Sequence, residues 1–231
     1  MLQTARFPRR DPRVDWLAIM RRALMIVPVL AVLAIILAQG GARAALPADT
    51  PQGFIDAVSQ EAFSLLKKKD LSEEQRIAEF GRLFRENFDV DRIARFALGR
   101  YWRTTPAPKR VEYQALFADF IVNTYAARFG VYEGQKIEIT GSKRLNSKET
   151  MVHSKLILPD REPVRVDWRV RKGKDGRLRI VDVVVEGVSM AITHRSEFAA
   201  VIQRDNGRID GLLRRMREKA LHIDYDKQKQ Q

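Results

Sequence analysis

The chain has 231 residues, a formal net charge of +13 and no cysteine. Hydrophobic residues make up 45% and charged residues 31% of it, which is the composition of an ordinary globular domain. The missing cysteines exclude disulfide bonds, thiol catalysis and cysteine-ligated metal sites. We therefore expect an apolar core alone to hold the fold together.

Residues 1–45 have the layout of a secretory signal peptide. An arginine-rich start precedes an uncharged run from Ala23 to Ala38, and Ala42-Arg43-Ala44 fits an A-x-A cleavage site. A retained membrane anchor is the alternative, but this run is shorter than the roughly 20 residues that cross a bilayer. We therefore expect cleavage near Ala44/Ala45 and a periplasmic location, which argues against nucleic acid as a partner.

Cleavage there would remove seven arginines and two aspartates, which lowers the net charge from +13 to +8. A domain that is still basic favours anionic membrane surfaces or acidic partners.

Helical patterns dominate the first part of the remaining chain. Thr50-Pro51 starts one helix, and Ser72 to Gln75 forms a capping box that starts a second. A short helix is predicted from Asp89 to the stop at Gly99. After a connector at residues 104–108 we predict the longest and most aromatic helix, ended by Gly130.

From Lys136 onward the apolar residues alternate, which predicts four antiparallel strands. In the segment 164–171 the even positions are apolar and the odd ones charged, so one face should be buried and the other solvated. A bulge near Ile180-Val181 would reconcile the last strand's two alternations. We expect the chain to break at Glu186-Gly187 and to be helical again by Ser196.

Two further helical pieces, split at Asn206-Gly207, are expected before a polar, disordered tail at residues 222–231. The order of elements predicts an α+β fold, in which a helical layer packs on one four-stranded antiparallel curved sheet.

Catalytic and metal sites find little support in the sequence. Gly187 to Ala191 resembles a nucleophile elbow around Ser189, but an elbow belongs in a parallel sheet with a histidine partner farther along the chain. The histidines His153, His194 and His222 lack metal-ligand spacing. We expect no catalytic residue, no metal and no cofactor.

The apolar sides of the helices and strands supply candidates for a pocket instead. Most of these residues must form core, but a curved sheet covered by helices can leave a cavity, and a lipid needs mostly apolar walls. The candidates are Tyr101, Trp102, Phe117, Phe120, Ile121, Tyr125, Val152, Leu156, Val166, Trp168, Val188 and Met190. The outer row Arg165, Arg169 and Arg171, with Asp167, is predicted to be a solvated face, or else a docking surface for an acidic partner.

A set of short motifs resembles a known family. They are Leu98-Gly99-Arg100-Tyr101-Trp102, Tyr125, Tyr132-Glu133-Gly134-Gln135, Glu186 to Met190 and Gly207 to Leu212. In order and spacing they are similar to the MlaC, or toluene-tolerance, family of periplasmic phospholipid carriers. The resemblance spans about Phe54 to Lys219.

The resemblance implies a lipid-binding domain over residues 46–221, with a helical subdomain joined to a cystatin/NTF2-like sheet. It implies a deep pocket for acyl tails, a solvent-exposed headgroup, and no catalytic residues or cofactor. The implied partners are phospholipid, an outer-membrane lipoprotein–porin complex and an inner-membrane MCE-domain protein of an ABC transporter. Some similar proteins are encoded with hopanoid biosynthesis, so a polycyclic cargo stays open, and a small hydrolase or isomerase on an NTF2-like scaffold is a third alternative.

Overall fold

The computed structural model describes residues 49–68, 70–126, 135–159 and 161–228. The predicted signal peptide with its cleavage point near Ala44/Ala45 lies outside the described residues. So do Gly130 and the motif residues Tyr132-Glu133-Gly134. The expectations about these segments stay predictions.

Within the described residues, five helices come before the sheet and two follow it. They are α1 (Pro51–Lys67), α2 (Glu73–Asn87), α3 (Val90–Leu98), α4 (Tyr101–Thr104), α5 (Ala107–Ala126), α6 (Met190–Arg204) and α7 (Asp210–Gln228). The predicted caps are present. Thr50 accepts a hydrogen bond from the amide of Gly53, and Ser72 and Gln75 form the reciprocal capping box. Local side-chain chemistry therefore fixes where the first helices start.

The strands form one antiparallel sheet in the order β1-β2-β3-β4-β5. They are β1 (Lys136–Arg144), β2 (Glu149–Leu158), β3 (Arg161–Lys172), β4 (Leu178–Val185) and β5 (Val188–Ser189). The predicted α+β class is confirmed, and the sheet has a fifth strand of two residues where four were expected. The predicted bulge is also present, because Val170 pairs with Ile180 while the adjacent Arg169 pairs with Asp182, which leaves Val181 as the extra residue.

The outer face of the sheet differs from the solvated face that we expected. The charged residues of β3 do point outward, yet Asp167 is buried. Its carboxylate is held by the guanidinium of Arg165 and by Nδ1 of His153, 3.0 Å away. The alternation of charged and apolar residues therefore identified the outward face of β3, but it did not predict that the Asp167 carboxylate on that face is buried.

The chain is helical at Ser196 as expected, but the helix α6 begins earlier, at Met190, where a strand was expected. Ser189 is its N-cap and accepts a hydrogen bond from the amide of Ile192. The left-handed residues Glu186 and Gly187 turn the chain between β4 and β5, so the sheet passes directly into the helix. The backbone of α7 is helical as far as Gln228, inside the segment predicted as a disordered tail.

The core has two main parts. A helical core joins α2, α3, α5, α6 and α7 around Tyr113, Phe117 and Phe198. A sheet core joins the inner faces of the strands to Ile55 and Phe63 of α1. Phe88 packs against both cores, and the next amide, that of Asp89, donates to the carbonyl of Ile180 at 2.9 Å. This junction positions the site described next.

Candidate lipid-binding site

A cavity of about 80 Å³ lies where the helical core meets the sheet core. Its walls come from α2 (Phe80, Phe84), α5 (Ile121, Tyr125), β4 (Val183) and α6 (Met190, His194), with Phe88 and Ile93 beside them. Nearly all of the surface that these residues present is apolar. The elements on its opposite sides belong to different cores, so the cavity lies at the seam between the helical core and the sheet core.

One chain of polar contacts at this cavity links Tyr125, His194 and Glu197. The Tyr125 hydroxyl lies 3.0 Å from Nε2 of His194, whose Nδ1 lies 3.2 Å from the Glu197 carboxylate. Because a carboxylate only accepts, Nδ1 of His194 is the donor to Glu197, and in the neutral form of the imidazole Nε2 then accepts from the Tyr125 hydroxyl. His194 is buried and Glu197 is half exposed, so this chain runs from the cavity to the surface.

Three of the predicted pocket residues line this cavity, namely Ile121, Tyr125 and Met190. Five others are buried in the two cores, namely Phe117, Val152, Leu156, Val166 and Trp168. Phe120 packs against His194 and Phe198 beside the cavity. Since lipid contact has not been tested for any of them, the assignment of these residues to a pocket stays a prediction.

The remaining candidates are at least partly exposed, although Tyr101 and Trp102 also pack against the helical core. Val188 is 38% exposed. Trp102 lines a first open groove of about 610 Å³, and Tyr101 lines a second of about 530 Å³. Sequence reasoning missed Phe84, Val183 and His194 as walls of the cavity. The spacing of Phe80, Phe84 and Phe88 at successive helical turns was the available signal.

The arrangement around Ser189 is a helix cap. Its hydroxyl accepts from the Ile192 amide and donates to the Asp182 carboxylate, and Asp182 also accepts from the Ala191 amide at 3.0 Å. A hydroxyl hydrogen-bonded to a carboxylate and a backbone amide lacks the imidazole base that activates a serine nucleophile. Within the described ranges, no cluster of three His, Asp or Glu side chains could hold a metal ion. None of the helices searched among the described residues is long and apolar enough to cross a bilayer.

Comparison with known proteins now decides the family. The model of the family described as MlaC protein matches residues 56–218. This chain belongs to the MlaC family. The motifs at Leu98–Trp102 and Glu186–Met190 lie within the matched range, and the resemblance inferred from them is confirmed.

Two relatives give the family its context. The intermembrane phospholipid transport system binding protein MlaC of Haemophilus influenzae is 28% identical over 126 residues, which is 53% of this chain. The alignment covers 58% of the length of that relative. The solved phospholipid-binding protein of Ralstonia solanacearum, in complex with a phospholipid, shares the fold with a TM-score of 0.64 and 21% identity. That similarity covers 75% of this chain and 98% of the Ralstonia chain.

Proposed function

We propose that this protein is a periplasmic phospholipid carrier that holds acyl chains between its helical layer and its sheet. The apolar cavity at the seam between the two cores is the observation that carries the proposal. The membership of the MlaC family and the fold shared with a phospholipid complex support it.

The cavity is too small to admit acyl chains unless the structure around it opens. Ligand pockets have volumes of about 300–1,000 Å³, and about 80 Å³ is well below that range. Burial of each methylene contributes about 0.8 kcal/mol, so two ~16-carbon tails represent some 20 kcal/mol or more. The two cores must therefore separate to admit the tails, and burial of the tails offsets the weaker packing of α2, α5 and α6 against β4.

The proposal includes exchange with membrane complexes. The signal peptide predicted in residues 1–45 and the name of the Haemophilus relative support a route between two membranes. The implied partners are an outer-membrane lipoprotein–porin complex and an inner-membrane MCE-domain protein of an ABC transporter. Reconstitution of the purified carrier with each complex, with labelled phospholipid as the readout, tests each exchange separately.

Native mass spectrometry with lipid extraction tests the cargo. We expect the purified protein to carry phospholipid, and Ile121→Trp to carry less because the larger ring occupies the cavity. Val111→Trp is the matched control, since Val111 lies on the same helix α5 and is 68% exposed. A wild-type protein that is free of lipid under gentle conditions, or equal lipid in both variants, would contradict the proposal.

The same extract separates the alternatives. A triterpenoid in place of phospholipid would assign the cavity to a hopanoid-type cargo on the same fold. The hydrolase or isomerase alternative has no observation in its favour, because the described lining of the cavity is apolar except at Asp182 and the Tyr125–His194 pair. Ester turnover by the purified protein that is lost in Ser189→Ala would revive it.

A further inference from the structure

The second open groove lies on the opposite side of α6 from the cavity. Met190 and His194 of α6 line the cavity, whereas Ile192 and Arg195 line the groove. Its other wall is the chain from Leu98 to Tyr101, where α3 ends and α4 begins. We call it the arginine groove, after Arg100 and Arg195. One helix thus separates the proposed lipid site from this groove.

Arginines at and beside the groove stack on aromatic rings. The guanidinium of Arg195 lies 5.2 Å from the ring centre of Phe96, and that of Arg100 lies 5.0 Å from Tyr101. Next to them the ring of Trp102 has Arg95 at 5.4 Å and Arg110 at 5.5 Å. A stacked guanidinium is held by its flat face and keeps N–H donors at its edge, which suits the oxygens of a phosphate.

These four arginines differ from the arginines on the outer face of the sheet in having no carboxylate partner among the described residues. On the sheet, Arg165, Arg169 and Arg171 are bound to buried carboxylates. In contrast, no carboxylate of the described residues lies within 4 Å of the guanidinium of Arg95, Arg100, Arg110 or Arg195. Moreover, the described lining of the arginine groove contains no acidic residue, whereas the first groove includes four. The arginine groove therefore presents positive charge that its described surroundings do not neutralise.

Gly99 of the Leu98–Trp102 motif leaves the space that the side chain of Arg195 occupies. Gly99 has φ +58°, and a Cβ atom built on it would lie 2.8 Å from Nε of Arg195. The guanidinium thus lies against bare backbone at the C-terminal end of α3, where the helix dipole favours a cation. This glycine is needed for its own backbone conformation and for the space that Arg195 occupies.

Exposed apolar side chains border the same surface. Ile192 is 57% exposed and Phe96 is 40% exposed. Together with the partly exposed Tyr101 and Trp102 they give the combination of aromatic, aliphatic and arginine side chains found at the headgroup level of membranes.

We infer that the arginine groove binds phosphate groups of an anionic phospholipid bilayer, and that it docks the carrier on the membrane with α6 and the cavity beside the surface. The inference rests on the proposed function, because a carrier that exchanges phospholipid with membrane complexes works beside the bilayers in which those complexes lie. A bilayer offers both phosphate oxygens for the arginines and an apolar layer for Phe96 and Ile192. An acidic segment of a protein would satisfy the arginines alone.

Co-sedimentation with vesicles tests this docking. The full chain is expressed, and the protein that the cell releases is purified, so that every variant has the same N-terminus. The probes are vesicles of phosphatidylcholine alone and vesicles of phosphatidylcholine and phosphatidylglycerol in equal parts. We expect binding to the anionic vesicles that weakens as salt is raised.

The double variant Arg100→Gln/Arg195→Gln should bind these vesicles about 25-fold more weakly, since each basic residue near an anionic surface contributes roughly five-fold. Arg214→Gln/Arg215→Gln is the matched control, because it removes the same charge from exposed positions on α7. It should bind within about two-fold of the wild type. Arg195→Lys keeps the charge but loses the planar fork, and it should fall between the wild type and the double variant.

Three outcomes would overturn the inference. Equal losses in the two double variants would mean that net charge alone attracts the protein. A wild type that carries phospholipid in native mass spectrometry but ignores anionic vesicles would leave the proposed function standing without this docking surface. Binding of a polyglutamate peptide that needs Arg100 and Arg195, without vesicle binding, would assign the groove to an acidic protein. An absence of bound lipid in mass spectrometry is a separate result and speaks against the carrier itself.

Discussion

At the scale of single residues, Glu149 shows how the outer face of the sheet holds its charges. Its side chain is 8% exposed and accepts hydrogen bonds from Arg169 and Arg171. Burial has the largest single effect on the pKa of Glu149 and raises it. The hydrogen bonds from Arg169 and Arg171, with the charge of Arg169 and the hydrogen bond from Asn146, together outweigh burial, so that the pKa lies below its ordinary value. The charged form of this buried carboxylate is therefore the form that the fold stabilises.

We predict that Glu149→Gln lowers the free energy of unfolding at neutral pH, because it leaves two guanidiniums without their shared carboxylate. The loss should be about 2 kcal/mol, since water still partly solvates these guanidiniums. Since the folded pKa is depressed, the contribution of Glu149 is fully present above the unfolded value of about 4.3 and is lost as the pH falls through the folded value. Urea unfolding at neutral and acidic pH should show the difference between variant and wild type shrinking toward low pH.

Asp175→Asn is the control for that measurement. The pKa of Asp175 is lowered to about 2, chiefly by its hydrogen bond with Arg179, but this ion pair is exposed at a hairpin and screened by water. We expect a smaller loss of stability than for Glu149→Gln. Equal losses would contradict the view that the burial of Glu149 matters.

Ser189 offers a second prediction at the residue scale. As the N-cap of α6 it should be worth about 1 kcal/mol, so Ser189→Ala should lower the free energy of unfolding by that amount. Because the hydroxyl lies against Asp182 and a backbone amide, we expect no change in any background ester hydrolysis. Thermal unfolding and an ester assay on the same preparation check both statements, and unchanged stability would contradict the capping role.

At the scale of elements, Gly99 joins the end of α3 to the position of Arg195 on α6. We predict that Gly99→Ala lowers the free energy of unfolding by about 1–3 kcal/mol, because alanine disfavours this backbone conformation and its Cβ would press on Arg195. Vesicle binding should fall as well, since the guanidinium of Arg195 would be displaced. Thermal unfolding measures the loss of stability, and co-sedimentation measures the loss of vesicle binding.

Gly176→Ala separates the two effects of that substitution. Gly176 also has a positive φ, of +78°, but no atom lies within 4 Å of an added Cβ. The Gly176→Ala variant should therefore lose stability through its backbone conformation alone and should bind vesicles as the wild type does. If Gly99→Ala also kept its vesicle binding, the space that Gly99 leaves would have no role in placing Arg195.

The elements also show how far the sequence could predict this structure. Capping residues such as Ser72 and Gln75 act within one helical turn, so the helix starts that they set were predictable. The start of α6 was not, because Ser189 ends a strand and caps a helix at once, and the strand pattern hid the cap. Two-residue periodicity predicted the inward faces of β2 and β3, and those faces are buried except at the partly buried Leu158 and Val164.

Periodicity could not separate core from cavity. Val166 and Trp168 point inward like Val183, yet only Val183 meets the gap between the two cores. Which inward residue faces a gap depends on how far α2, α5 and α6 stand from the sheet, and that distance has no local signature in the sequence. Similarly, the burial of Asp167 depends on His153, which reaches it only after β2 and β3 have paired, as well as on Arg165 two residues before it on β3.

At the scale of the whole molecule, the helical core and the sheet core meet at a seam that the proposed cargo would occupy. The described cavity is small and the two cores are in contact around it, so a bound lipid would hold the layers apart while filling the space between them. A ligand that binds only the folded state stabilises it, by about 2.7 kcal/mol when its free concentration is 100 times its Kd. Bound phospholipid should therefore raise the stability of the protein as well as change the spacing of its layers.

We predict that removal of lipid has its largest effect on the walls of the seam. In hydrogen exchange, the amides of α2, of the C-terminal half of α5 and of the first turns of α6 should exchange faster in the delipidated protein. None of the described lining residues lies on β2 or β3, and their pairing is the longest strand pairing of the sheet, so its amides should stay protected. Reloading with phospholipid should restore the slow exchange, whereas Ile121→Trp should show little difference between its two states. If the change were spread evenly over the chain, or were centred on β2 and β3, the lipid would lie elsewhere than in the seam.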